Sequence, residues 1–191
     1  MPEDRVRIHI CWGNYEGPHV CDIPMAKMFD TLMSAKARYV LFETSNPRHG
    51  HEWTVFRNRK ADIPDTTILV PGVVDTTTNF VEHPELVAQR IERFVDIVGH
   101  DRVIAGSDCG FGTFAGFGTV DPSIAYAKLS ALAEGAALVK QPRAPLTKVQ
   151  CATRITPLAL LHLMGSGVMF CKTDREGILF QSNQEVDDIS P

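Results

Sequence analysis

Four short, near-continuous apolar runs recur along the chain, at residues 6–11, 39–43, 68–74 and 103–107, and each ends in polar or glycine-rich sequence. A strand that is apolar at every position, rather than at alternate ones, must be covered on both faces. That is the condition of a strand inside a parallel sheet. Parallel neighbours need a crossover of a dozen or more residues, and the segments between the runs supply it with helical patterns. In residues 84–99, Leu86, Val87, Ile91, Phe94, Val95 and Val98 fall on one helical face, with Pro84 in a first-turn position and Gly99 at the stop. A second helix is expected from Asp121, an N-cap candidate followed by Pro122, and carries Ile124, Ala125, Leu129, Leu132 and Ala136 inward. Residues 24–36 read as a third, with Met25, Met28, Phe29 and Leu32 facing the core. Residues 46–65 lack periodicity and read as a long loop with one short helix.

The fold class is therefore α/β. Four βα units are too few to close an eight-stranded barrel, yet no glycine-rich nucleotide turn of a Rossmann half is present. Near residue 139 the character changes, from regular units to scattered prolines, a patchy apolar run and an acidic ending, "NQEVDDISP". The expected division is a β/α unit over 1–139 and an irregular tail over 140–191, to which the sequence assigns no role.

Composition narrows the partners. At 191 residues and 44% hydrophobic, the chain can bury a real core. Its net charge of −4 arises from interspersed acids and bases. Without a basic block to neutralise phosphates or anionic headgroups, neither nucleic acid nor a membrane surface is an expected partner. The start, MPEDRVRIHI, lacks the basic and apolar regions of a signal peptide. The longest apolar run, residues 155–170, is interrupted by Pro157, His162, Gly165 and Gly167 and falls short of the ~20 residues of a membrane span. A soluble, cytoplasmic protein is expected. Five irregularly spaced cysteines then read as reduced thiols or thiolate ligands rather than a disulfide framework.

The polar residues suited to chemistry stand at the ends of the four runs: His9 and Cys11, then Glu43, then Asp75, then Asp108 and Cys109. The C-terminal ends of parallel strands point to one rim, where functional residues collect. On a strand, His9 and Cys11 at i and i+2 project to the same side, close enough to bind one ion. Cys109 can add a second thiolate from a neighbouring strand, and Glu43 an oxygen. One imidazole, two thiolates and one carboxylate suit tetrahedral zinc, with the carboxylate the most readily displaced. A single H-x-C pair at a strand end is more often a packed histidine beside an inert thiol, and Cys109 taken alone reads as a small buried residue at a turn. The run His49-Gly50-His51-Glu52 is a weaker ligand cluster, whose histidines read as solvent-facing or outer-shell. Cys21, Cys151 and Cys171 have no partner pattern and read as ordinary thiols. Asp75 and Asp108 suit orienting or helix-capping roles. Arg48, beside Asn46 in the same strand-end segment, suits a clamp on a carboxylate or sulfonate, and reads equally as a surface ion pair.

Together, "HICWGNYEGPH", "LFETSNPRHGHEW", "PGVVDTTTNFVEHPELVAQRIERF" and "VIAGSDCGFGTFAGFG" resemble the C-terminal catalytic barrel of the cobalamin-independent methionine synthase family, and more closely its shorter stand-alone relatives. The resemblance spans roughly residues 5–139 in the family's order and spacing. It implies a zinc ion (Zn2+) held by His9 and Cys11, by Glu43 of "FETSN" and by Cys109 of "SDCGFG". It also implies a small thiol substrate such as homocysteine, made nucleophilic toward a methyl donor such as methyltetrahydrofolate. In the synthases a histidine that assists the leaving group stands where this chain has Thr77, beside Asp75. A hydroxyl is a poor general acid near neutral pH. Relatives with the same zinc site open epoxides with coenzyme M instead. Asp75 and Thr77 are the catalytic candidates on this reading, and Asn46 and Arg48 the substrate-binding ones.

Family barrels place further substrate-binding strands before the H-x-C strand, which here begins near residue 9. The resemblance therefore implies the C-terminal half of a (β/α)8 TIM-type barrel, a fragment whose first strand edge invites a missing half-barrel chain or self-association. The competing expectation is a non-catalytic fragment.

Overall fold

In the computed structural model the described residues are 2–112, 118, 120–139, 170–174 and 177–181. Strand β1 (Arg7–Ile10) leads through a long irregular arm to α1 (Met25–Ser34), then β2 (Tyr39–Phe42), α2 (Trp53–Asn58), β3 (Ile68–Val74), α3 (Pro84–Val98), β4 (Ala105–Ser107) and α4 (Pro122–Leu138). Strands β5 (Phe170–Asp174) and β6 (Gly177–Gln181) follow. The sheet order is β1-β2-β3-β4-β5-β6. The first three pairings are parallel, in a register that aligns His9 with Leu41 and Leu41 with Val70. The last two are antiparallel.

The α/β reading holds: four parallel strands with intervening helices, a partial barrel. Its element ends need small corrections. The first strand stops at Ile10, leaving Cys11 on the arm, and the second at Phe42, leaving Glu43 just beyond it. Val103 contributes only a bridge to Leu69. The long loop of residues 46–65 carries α2 and a short 3-10 turn at Lys60–Asp62. In the tail, β5 starts at the last residue of the patchy apolar run and pairs with Ala105 and Gly106 of β4. An antiparallel strand needs no βα crossover and leaves no such pattern to read. Cys151 lies outside the described residues.

Helix ends follow their capping chemistry. His83 accepts from the Glu85 backbone N–H ahead of Pro84, and Asp121 accepts from that of Ser123 ahead of Pro122. Gly99 closes α3 at φ 88°, a backbone angle that favours glycine, and donates to Val95 O. The buried face of α3 is Val87, Ala88, Ile91, Phe94, Ile97 and Val98. Leu86 is exposed and Val95 only half-buried. Both sit at the margin of a stripe centred on 87, 91, 94 and 98, where apolar spacing alone does not tell edge from centre.

The helical side of the sheet holds the main core: Met25, Phe29 and Leu32 of α1 with Val40, Phe42, Phe56, Leu69, Phe94, Ile97 and Val98. Phe56 is its hub, stacked on Phe42 at 4.3 Å and meeting Phe29 and Phe94 edge-on at 5.5 and 5.7 Å. A second cluster joins Val73 and Val74 to α3 and α4. There α4 approaches α3 so closely that a Cβ on Gly135 would lie 2.5 Å from the Val87 side chain. The other side of the sheet has a small apolar layer of Leu41, Ile68, Val70 and Ile104, flanked by Tyr39 with Arg7 over its ring. His9, in register with Leu41, shares that side.

Candidate metal centre

β1 and β4 are three strand spacings apart, which in a flat sheet is about 14 Å. Yet Cys109 Sγ, just past β4, lies 3.5 Å from His9 Nε2 on β1. Side chains standing normal to a flat sheet run parallel and cannot close that gap, so the sheet curls toward its inner side, as a barrel wall does. The curl brings the ligand atoms of His9, Cys11 and Cys109 within 4.8 Å of one another. Among the described residues they are the one group of three or more His, Cys, Asp or Glu so placed. Glu43 joins through Cys109, whose thiol donates to Oε1 at 3.1 Å.

The two sulfurs are electrostatically unlike. Hydrogen bonds from Cys109 and His9 hold the Cys11 thiol down at about 4, against the effect of burial. Cys109, pressed against Cys11, buried and beside Glu43, is pushed far above the ordinary thiol range. Of the two thiols, Cys11 is therefore the one that ionises first. Burial also raises the Glu43 carboxyl, while Cys109 and Asn46 pull it down. His9 Nδ1 is buried without a partner among the described residues. Two sulfurs and an imidazole nitrogen, with a carboxylate against one sulfur, form an electron-rich donor set that could hold a divalent cation.

Asp108 holds this rim together from beneath. Its Oδ1 accepts from the backbone N–H groups of Thr44 and Ser45, both at 2.9 Å, and its Oδ2 from that of Asn46 at 2.8 Å. Burial raises its carboxyl well above the usual range even against the Thr44 and Ser45 donors. The approach depends on Gly72, where a Cβ would lie 2.1 Å from Asp108 Oδ1. The Asn46 amide donates to Glu43 Oε2 at 3.0 Å, and so orients the carboxylate that touches Cys109.

The remaining candidates are placed as follows. Asp75 and Thr77 meet each other: Asp75 Oδ1 accepts from both the Thr77 backbone N–H and its hydroxyl at 3.0 Å, and Oδ2 from the Thr78 hydroxyl. The Asp75 N–H donates to Glu82, which pairs with the fully buried Lys128 at 3.0 Å. Arg48 is exposed, and its backbone N–H donates to Asn46 Oδ1. Cys21 is exposed.

His49 departs from the solvent-facing alternative of its expectation. It is buried, with Nε2 2.8 Å from Asp22, Nδ1 3.0 Å from Glu52, and its ring stacked on Trp12 at 3.7 Å. His51 is exposed, as read. Asp22 and Trp12 were not foreseen, because the arm of residues 11–24 has no periodic pattern. Nor was Asn14, which accepts from Thr76 and donates to Gly110 O next to Cys109. The quoted "HICWGN" contained its only signal.

A curled parallel sheet with imidazole and thiols gathered at the C-terminal strand ends defines a barrel-type α/β protein with a candidate metal centre. The family model described as "Cobalamin-independent synthase, Catalytic domain" matches residues 17–125, and the chain belongs to this family. Glu43 and Cys109 lie within that match, and His9 and Cys11 precede it. The 2-hydroxypropyl-CoM lyase of Xanthobacter autotrophicus is 26% identical over 171 residues, 78% of this chain and 43% of the relative. A B12-independent methionine synthase from Shewanella sp. W3-18-1, solved with selenomethionine, shares the fold at a TM-score of 0.51 and 19% identity, over 70% of this chain and 38% of that one. The chain thus spans less than half the length of either. Among the described residues no helix is long and apolar enough to cross a membrane.

Proposed function

We propose that residues 1–139 form the thiol-activating part of a zinc-dependent S-methyltransferase. On this reading His9, Cys11 and Cys109 hold the ion, and Glu43 takes the fourth, displaceable position. The observation that carries it is the meeting of three donor atoms within 4.8 Å at the strand-end rim. Bound zinc would lower the pKa of a substrate thiol and offer it as a thiolate to an electrophilic carbon. The chain's own residues prepare the place: Cys11 already favours the ionised form, Asn46 aims Glu43, and Asp108 fixes the loop that carries both. Exposed Arg48 is suited to the carboxylate of a homocysteine-like thiol or to a sulfonate. Asp75 and Thr77 would shape the donor side of the rim.

A second reading, alkyl transfer to coenzyme M, is favoured by Thr77. Its hydroxyl is given to Asp75, and it offers no group able to protonate a folate leaving group near neutral pH. The lyase relative is named for a coenzyme M compound. A third, non-catalytic reading is the outcome in which zinc binds and neither reaction proceeds.

The test is metal analysis of freshly reduced protein. About one zinc per chain is expected, lost in Cys11→Ser and Cys109→Ser. Protein free of zinc after loading would overturn the assignment. With zinc bound, assays pairing methyltetrahydrofolate with homocysteine, and an epoxide with coenzyme M, separate the first two readings; no turnover in either supports the third.

A further inference from the structure

Cys11 lies beyond the last residue of β1, so no strand pairing holds it opposite Cys109. Residues 11–24 contain no helix or strand, and contacts within the arm and to its neighbours must set the position of that sulfur. The arm is closed on itself by Trp12 Nε1 donating to Ile23 O at 2.7 Å. It is then fastened to the loop after β2 at two places that converge on one ring. The indole of Trp12, next to Cys11, stacks on His49 at 3.7 Å and 11°. At the far end of the arm Asp22 receives His49 Nε2 at 2.8 Å.

The other side of the ring is fixed as well. His49 Nδ1 is 3.0 Å from Glu52 Oε2, while Glu52 Oε1 accepts the Met25 backbone N–H at the start of α1. Both ring nitrogens face carboxylates, and the ring plane is covered by Trp12. His49 is therefore held in one orientation and presents a flat surface to the residue that follows Cys11. His51, two positions on, is exposed and does none of this.

We propose that His49 is a positioning residue for Cys11: clasped between Asp22 and Glu52 and stacked on Trp12, it fixes the arm so that Cys11 stands opposite Cys109. This rests on reading His9, Cys11 and Cys109 as a metal centre. It adds a residue that, among the described residues, makes no hydrogen bond to a donor side chain and acts through the arm. Contacts that orient ligands from outside the coordination sphere commonly change metal affinity by roughly 10–100-fold when removed.

Two readouts on the full chain test it, one with metal and one without. In metal-free, reduced protein titrated with Co2+, the wild type should show sulfur-to-cobalt charge-transfer absorption of two thiolates. His49→Gln should lose intensity toward that of a single thiolate and weaken cobalt affinity by about tenfold or more. Asp22→Asn, which keeps the side-chain shape and removes the charge facing Nε2, should move both in the same direction by less. His51→Gln should change neither. The second readout is bridging of Cys11 and Cys109 in metal-free protein by dibromobimane, which joins only closely apposed thiols. Bridged product should fall in His49→Gln and Asp22→Asn and stay unchanged in His51→Gln. If His49→Gln does not fold, Asp22→Asn decides. Wild-type cobalt spectra and wild-type bridging in both folded variants would overturn the positioning role while leaving the metal centre standing. Absence of thiolate bands in the wild type, with bridging still lost in the variants, would overturn the metal centre and leave the positioning role standing.

Discussion

On its helix-covered side the sheet buries a dense set of aromatic and aliphatic groups, with Phe29, Phe42, Phe56 and Phe94 in mutual contact. On its inner side it carries a small apolar layer, with His9, Cys109 and Glu43 joined by hydrogen bonds and Asp108 tied to Glu43 through Asn46. The difference is one of redundancy. Apolar burial is non-directional, and many neighbours share the load at each position. The polar rim depends on direction: Asp108 reaches three consecutive backbone N–H groups only because Gly72 leaves room, and Glu43 points at Cys109 only while Asn46 holds its second oxygen. The outer side supplies stability, and the inner side spends some of it on geometry.

The strongest test of that separation is Phe56→Ala. The ring is fully buried and contacts three others, so truncation should cost about 3–5 kcal/mol in denaturant unfolding. Zinc content per folded molecule should be unchanged, and loss of zinc at unchanged fold would show that the two sides are not separable. Lys128→Met comes next. Lys128 links the two sides, because its ammonium reaches Glu82 and the Phe80 carbonyl, and Glu82 holds the Asp75 turn. Removing it strands a buried carboxylate, at a cost of about 3 kcal/mol. Unfolding midpoints with zinc bound and removed should both fall.

How far these two sides were legible in the sequence follows from the same distinction. Val87, Ile91, Phe94 and Val98 announced the outer side through their period, and only stripe-edge residues such as Leu86 were misjudged. His9, Cys11, Glu43 and Cys109 were legible as a set because strand ends share a rim, a fact of topology. What periodicity does not carry is the partner of a polar group. Asp108 suited an orienting or a helix-capping role, and which backbone it holds, that of Thr44, Ser45 and Asn46, was not readable. The burial of His49 left no sign in the sequence, because its partners Asp22 and Trp12 lie 27 and 37 positions earlier in a segment without pattern. Pairings between irregular segments leave no local trace in either of them.

Gly72→Ala moves the comparison to the inner side. Its Cβ would fall 2.1 Å from Asp108 Oδ1 and 2.5 Å from Asp108 Cα, so backbone rather than a flexible tip must yield. The expected stability loss, about 1–3 kcal/mol, is smaller than for Phe56→Ala. The metal should suffer more, because Asp108 precedes Cys109 and fixes the loop after Glu43. A zinc titration that is unchanged, beside a clear drop in stability, would reduce Asp108 to a packing group.

The smallest effect should be a dependence of metal-free stability on pH that belongs to the inner side alone. In the unfolded chain both thiols titrate near ~8.5. Folding holds Cys11 down at about 4, so the stability it contributes is present above the unfolded value and lost as pH falls toward about 4. Cys109 runs the other way: its raised value makes the folded state keep a proton that the unfolded chain releases, and stability falls as pH rises beyond ~8.5. The pair therefore contributes a shallow maximum near pH ~8.5, with limbs of opposite sign. One proton's difference bounds each limb at about 1.4 kcal/mol per pH unit, and solvent around the exposed Cys11 screens the acid limb well below that. Denaturant unfolding of metal-free protein from about pH 5 to 8 should show a flatter slope in Cys11→Ser than in the wild type, whereas Phe56→Ala should lower the whole curve and keep its shape. Equal slopes in wild type and Cys11→Ser would remove the sulfur pair as the source, and with it the unequal acidity that readies Cys11 for a cation.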